Sequence, residues 1–130
     1  MKKKGEFVMA LWFDHVNLNV TDLDRSLRFY EEAFGLKEVR RKVAGDESFI
    51  LAFLGDGKTP MGLELTWLRD KEGAYELGDN ETHLAFATED MDATHALHEK
   101  MGCICFENPK MGIYFVEDPD GYWIEVVPEK

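Results

Sequence analysis

An α+β fold built from two tandem βαβββ modules is predicted by three features of this chain. The first is a stretch that occurs twice, HVNLNVTDLDRSLRFYEEAFGL from His15 to Leu36 and HLAFATEDMDATHALHEKMGC from His83 to Cys103. Each copy opens with a histidine, passes through an Asp-Leu-Asp or Asp-Met-Asp triplet and reaches a glycine, Gly35 or Gly102. The second is that each copy later closes on a strand-like segment with one glutamate, GLELTW with Glu64 and YWIEVV with Glu125. The third is the switch of apolar spacing inside each copy, from alternation to helical spacing, where a strand hands over to a helix. Self-similarity of this kind marks a duplicated structural unit. The expected modules are 13–68 and 82–128, joined by linker 69–81, within one 130-residue domain able to bury a core.

In chain order, Phe13 to Val20 alternates as a strand. Val16, Leu18 and Val20 lie on one face, with Phe13, His15, Asn17 and Asn19 on the other. Thr21 or Asp22 caps the helix that follows, whose apolar stripe is Leu23, Leu27, Tyr30 and Phe34. Gly35 ends it in the left-handed conformation that glycine adopts without strain. Lys37–Val43, Phe49–Leu54 and Gly62–Trp67 read as strands, with a tight turn at Gly55-Asp56-Gly57. Arg69 to Asn80 is polar and serves as the linker.

The second copy repeats the plan. His83–Thr88 is a strand, and Asp90 caps a helix running to about Met101. In this helix His95 and His98 take the places of Leu27 and Tyr30, and they are expected to form a partly exposed face. Cys103–Glu107 and Ile113–Val116 are strands. Glu117-Asp118-Pro119-Asp120-Gly121 is a turn, and Tyr122–Val127 is the last strand.

Bulk chemistry narrows the function. With 26 acids against 15 bases the formal net charge is −11. Such a chain is repelled by nucleic-acid phosphates and anionic membranes, so a small molecule or another protein is the expected partner. Cys103 and Cys105 read as free thiols of a reducing compartment. Lys2, Lys3 and Lys4 before Phe7–Phe13 mimic a short signal peptide, but Asp14-His15 interrupts the run and no small-residue cleavage site follows. The expected location is the cytoplasm.

The chemistry-bearing residues are the repeated ones. A lone histidine at a strand start is usually satisfied by backbone. A carboxylate in an apolar strand is costly unless it is paired or metal-bound. His15, Glu64, His83 and Glu125 stand at matched places on the face opposite the helices, and together they point to a metal site. Two imidazoles and two carboxylates suit nickel, cobalt, zinc or manganese better than calcium or a thiolate-preferring ion. Trp123 shares that face.

The pieces LELTW, YELG followed by HLAF, and FVEDPDGYWIEVV resemble glyoxalase I (lactoylglutathione lyase) of the vicinal oxygen chelate superfamily. The similarity runs from Phe13 to Pro128; the TDLDRSLRFYEEAFGL stretch is shared more widely. The resemblance implies curved mixed sheets forming a metal-binding cup, with His15, Glu64, His83 and Glu125 as ligands. It implies Ni2+ or Co2+ ahead of Zn2+, and a homodimer whose sites combine His15 and Glu64 of one chain with His83 and Glu125 of the other. The implied reaction isomerises the hemithioacetal of methylglyoxal and a thiol to a lactoyl thioester through an enediolate. It implies Glu125 as the principal base and Glu64 as the second catalytic carboxylate.

For the thiol, the resemblance directs attention to Asn19, Leu68, Lys110 and Trp123. Asn19 and Leu68 stand where the family has an arginine and an asparagine that hold glutathione, which leads to an expectation of weak glutathione use. Lys110 is the basic residue matched to a glutathione contact. A methylmalonyl-CoA epimerase-like isomerase and a metal-free antibiotic-binding protein remain as alternatives. The first family carries glutamine at the place of Glu64, and the second lacks the four ligands.

Overall fold

Two four-stranded sheets, each carrying one helix, make up the computed structural model, which describes Gly5 and residues 8–130. The basic lead-in at residues 2–4 and Phe7 lies outside the described residues. The first module contains β1 (His15–Val20), α1 (Leu23–Phe34), β2 (Lys37–Val43), β3 (Phe49–Gly55) and β4 (Gly62–Leu68). The second contains β5 (Leu84–Thr88), α2 (Met91–Met101), β6 (Ile104–Asn108), β7 (Ile113–Glu117) and β8 (Trp123–Pro128). The strand orders are β1-β4-β3-β2 and β5-β8-β7-β6, with the first pair in each sheet parallel and the others antiparallel. The expected βαβββ plan is thus present twice. Even the irregularities repeat, since β2 and β6 each bulge one residue before the side chain that faces Phe53 or Phe115.

Local chemistry sets the element ends. Asp22 and Asp90 cap the helices, their carboxylates accepting from the backbone N–H of Arg25 and Ala93. Gly35 and Gly102 close them at φ 68° and 70°. Phe13 does not belong to β1 as expected. β4 begins opposite His15, so no strand partner is left for Phe13, which is 86% exposed.

The helix-bearing faces of both modules bury themselves in one shared core. Val20, Tyr30, Leu54 and Leu65 come from the first half; Tyr114, Val116, Ile124 and Val126 come from the second. Phe34 stacks on Phe86 across the join at 4.5 Å between ring centroids. Val16, Leu18, Leu84, Phe86 and Tyr122 pack on this cluster as strand alternation predicts.

The second helix corrects an expectation. His98 is not on an exposed face: it is fully buried, and burial pushes its imidazole below its ordinary range. Its Nε2 donates to the Ala33 carbonyl of the first module, and its Nδ1 accepts from the Tyr114 hydroxyl, both at 2.7 Å. Tyr30, its counterpart in α1, crosses in the other direction and donates to Asp118 at 2.6 Å. A polar residue survives at each place because a partner waits in the opposite module. His95 does lie near the surface, beside Glu107.

The EDPDG segment is a turn, closed by Gly121 N–H to the Asp118 carbonyl, and it also locks the modules together. Asp120 accepts from the Thr21 backbone and hydroxyl at 3.0 and 2.7 Å, just before α1. Both cysteines are free, and burial pushes the Cys105 thiol up to about 11. Among the described residues no helix is long and apolar enough to cross a membrane.

Candidate functional site

Parallel pairing of β1 with β4 places His15 beside Gly62 and Asn17 beside Glu64. The imidazole leans toward the carboxylate, with Nε2 3.8 Å from Glu64 Oε1. In the second module His83, just ahead of β5, approaches Glu125 in the same manner, at 3.3 Å. Phe53 and Phe115, cross-strand from the two glutamates, present their rings edge-on to these imidazoles at 5.8 and 5.0 Å.

The other ring nitrogen fixes the tautomer. Nδ1 of His15 lies 2.7 Å from Asp14 Oδ2, and Nδ1 of His83 lies 3.1 Å from the Glu81 carbonyl. Both oxygens only accept, so the proton of the neutral ring belongs on Nδ1. Nε2 then turns its lone pair toward a carboxylate oxygen. Two acceptors turned toward the same space are the arrangement that a shared metal cation stabilises. An acceptor on Nδ1 is also what orients a metal-binding histidine. The donor chemistry of each pair therefore fits half of a divalent-metal site.

The halves do not meet within one chain. Among the described residues no three His, Cys, Asp or Glu side chains gather to hold a metal. The cause lies in the fold: both modules spend their helix-bearing faces on the common core, so the opposite faces point away from it. Glu64 and Glu125 remain only 14% and 18% exposed, flanked by their own strands.

The residues expected to meet the thiol are spread over both faces. Asn19 is on the His15 face of β1, with its side-chain amide 3.4 Å from the Tyr75 hydroxyl of the linker and its backbone carbonyl accepting from the Tyr122 hydroxyl. Leu68 ends β4, half in solvent. Lys110 is exposed in the turn between β6 and β7. Trp123 lines a recess of about 370 Å³ with His83, Phe106 and Phe115, and the linker residues Asp79, Asn80 and Glu81 form its rim.

Sequence reasoning overlooked several groups here. Asp14 and the Glu81 carbonyl orient the histidines. Asn17, with its amide nitrogen turned to the carboxylate, donates to Glu64 Oε1 at 2.9 Å. Arg40 lays its guanidinium 3.7 Å from the centre of the Phe53 ring. Following alternation through the outer strands as well as through those carrying the glutamates would have found Phe106 and Phe115. Asp14 and Glu81 act through local bends that carry no periodic signal.

Comparison with known proteins agrees with this architecture. Residues 12–126 match the model of the Glyoxalase/Bleomycin resistance protein/Dioxygenase superfamily. A lactoylglutathione lyase from Haemophilus influenzae is 40% identical over 126 residues, covering 89% of this chain and 91% of the relative. The trypanothione-dependent glyoxalase I of Leishmania major superposes with a TM-score of 0.81 at 32% identity, over 92% of this chain and 88% of that one. Maize glyoxalase I gives a TM-score of 0.77 at 33% identity, over 88% of this chain and 43% of the maize chain. With its duplicated modules and paired His–Glu faces, this chain belongs to the glyoxalase I (lactoylglutathione lyase) family of enzymes within that superfamily.

Proposed function

We propose that the protein is a metal-dependent glyoxalase I that isomerises the hemithioacetal of methylglyoxal and a thiol to a lactoyl thioester. The observation that carries the metal reading is the acceptor-to-acceptor approach of Nε2 to a glutamate oxygen in both modules. His15, Glu64, His83 and Glu125 would hold the ion, with Ni2+ or Co2+ ranked before Zn2+. When bound, the divalent ion supplies positive charge next to the substrate oxygens, where negative charge develops as the proton leaves.

The chain's own residues do the rest. Glu125 takes the proton from the thiol-bearing carbon and returns it to the neighbouring carbon. Its cross-strand neighbour Ala85 offers no donor to restrain the carboxylate. Glu64 is the more firmly held carboxylate, tied by Asn17. Phe106, Phe115 and Trp123 form an aromatic wall beside His83 that excludes water from the reacting carbons. Asn19, Leu68 and Lys110 are proposed to border the thiol portion.

Since one chain keeps its two half-sets apart, each working site combines the first module of one copy with the second module of another, in a two-fold dimer. The test is complementation. His15→Ala and Glu125→Gln chains, each inactive alone, are mixed, and heterodimers are counted by native mass spectrometry. Each heterodimer carries one site with all four ligands, so activity is expected to return in proportion to heterodimer. Heterodimers that form without regaining activity would refute shared sites.

A further inference from the structure

The two glutamate-bearing faces are built from the same register yet differ in charge at two pairs of places. In the first module Arg40 is the cross-strand partner of Phe53, and Phe53 is the partner of Glu64. In the second module Phe106 is the partner of Phe115, and Phe115 is the partner of Glu125. Arg40 and Phe106 thus occupy equivalent positions, one cationic and one aromatic. Two residues on, β2 places Lys42 on the Arg40 face, where β6 has Asn108.

Among the described residues Arg40 makes no ion pair. The described basic residues of this region that do form one are Lys37 with Glu31 and Arg41 with Glu38. Arg40 instead sits over Phe53, whose ring is edge-on to His15. Stacking on an aromatic face leaves the guanidinium N–H groups at its rim free to donate. In a chain of net charge −11, an exposed arginine and lysine on the His15–Glu64 face are the local exception.

We propose that Arg40 is a specificity-determining residue that binds a carboxylate of the substrate's thiol portion, with Lys42 adding charge. This inference rests on the glyoxalase reading above. It also removes the reason to expect weak glutathione use from Asn19 alone, because a guanidinium reaches the same face from a different strand. Arginine's planar fork matches a carboxylate in two parallel hydrogen bonds, which lysine cannot reproduce.

The experiment uses metal-loaded wild type, Arg40→Met and Arg40→Lys with two probes, S-hexylglutathione and its uncharged-carboxyl counterpart, the dimethyl ester. Binding is followed by tryptophan fluorescence and calorimetry. Turnover is measured in parallel with the hemithioacetals of glutathione and of its dimethyl ester.

Loss of one charge-assisted contact is expected to weaken the free acid by roughly ten- to a hundredfold in Kd and KM. The ester should change by less than about threefold, kcat should hold within about twofold, and metal content should not change. Arg40→Lys should recover part of the loss. Equal weakening of acid and ester, or no weakening of either, would overturn the assignment. If wild type turned over neither hemithioacetal yet bound S-hexylglutathione in an Arg40-dependent way, the assignment would stand and the glyoxalase reading would fall.

Discussion

Beside Glu64 in the sheet stands Asn17, and beside Glu125 stands Ala85. Most of the other positions on these faces diverge in the same sense. Where the first module has Asn19, Thr66, Arg40, Lys42 and Gly62, the second has Ala87, Val127, Phe106, Asn108 and Trp123; Leu51 and Ile113 are apolar in both. The first face is the more polar and cationic, the second the more apolar and aromatic, although backbone register and the His–Glu pair are common to both. Duplication alone explains the shared part. The divergence is what two cups facing each other across a dimer would need, one to anchor the charged part of a substrate and one to keep water off the carbons that exchange a proton.

The largest expected effect separates the two glutamates. Glu125→Gln removes the proposed base as well as a ligand, and kcat should fall about a thousandfold, within the range of a general base. Glu64→Gln removes a carboxylate already restrained by Asn17, so its loss should show first as weaker metal retention and a smaller drop in kcat once metal is saturating. Metal content by plasma emission, measured with kcat on the same samples, distinguishes them. Equal kcat losses at equal metal occupancy would erase the catalytic difference between the modules.

Much of this was legible before the structure. Alternation and helical spacing are local signals, so β1, α1, β4 and their repeats fall within a residue or two of their expected bounds; Asp90 and Gly35 cap their helices as expected, and of Thr21 and Asp22 it is Asp22 that caps the first. The face of each glutamate followed from counting by two along a strand. What the sequence hid depends on contacts across the join. His98 looks like a surface histidine until Ala33 and Tyr114 supply its partners. Asp118 and Asp120 look like turn residues until Tyr30 and Thr21 reach them. Arg40 was missed for a simpler reason: β2 is charged along its length, and only its pairing with Phe53 singles out one side chain.

The cross-module pair Tyr30 and His98 allows a second test, of stability. His98→Leu leaves the Tyr114 hydroxyl and the Ala33 carbonyl without partners, and the expected cost is about 2–4 kcal/mol. The pH dependence carries a signature. The folded pKa of His98 lies below the ordinary 6.5, mainly through burial. Below that value the unfolded chain binds a proton that the folded chain refuses. Its stabilising contribution is therefore fully present above about pH 6.5 and is lost as pH falls toward the lowered folded value, with a slope of up to about 1.4 kcal/mol per pH unit. Urea melts from pH 5 to 8 at fixed protein concentration should show this slope in wild type. In His98→Leu that share of it should be absent. An unchanged slope would mean that another group titrates in that window.

The smallest effect asks whether the modules unfold together. Asp22 and Asp90 make the same cap, accepting from Arg25 and Ala93 N–H at 3.1 and 3.0 Å. Each Asp→Ala change should cost about 1 kcal/mol, or about 3–5 °C in Tm. The helices behind the caps are unequal. α1 buries Leu23, Ser26, Tyr30 and Ala33, whereas α2 buries only His98. If the shared core makes one cooperative unit, both variants lose the same global stability. If α2, held by fewer buried side chains, opens on its own, Asp90→Ala should speed amide exchange at Ala93 to His98 with little change in Tm, while Asp22→Ala lowers Tm with no selective exchange in α1. Equal Tm losses together with uniform exchange would show that the fold treats its two halves as one, however differently their cups are built.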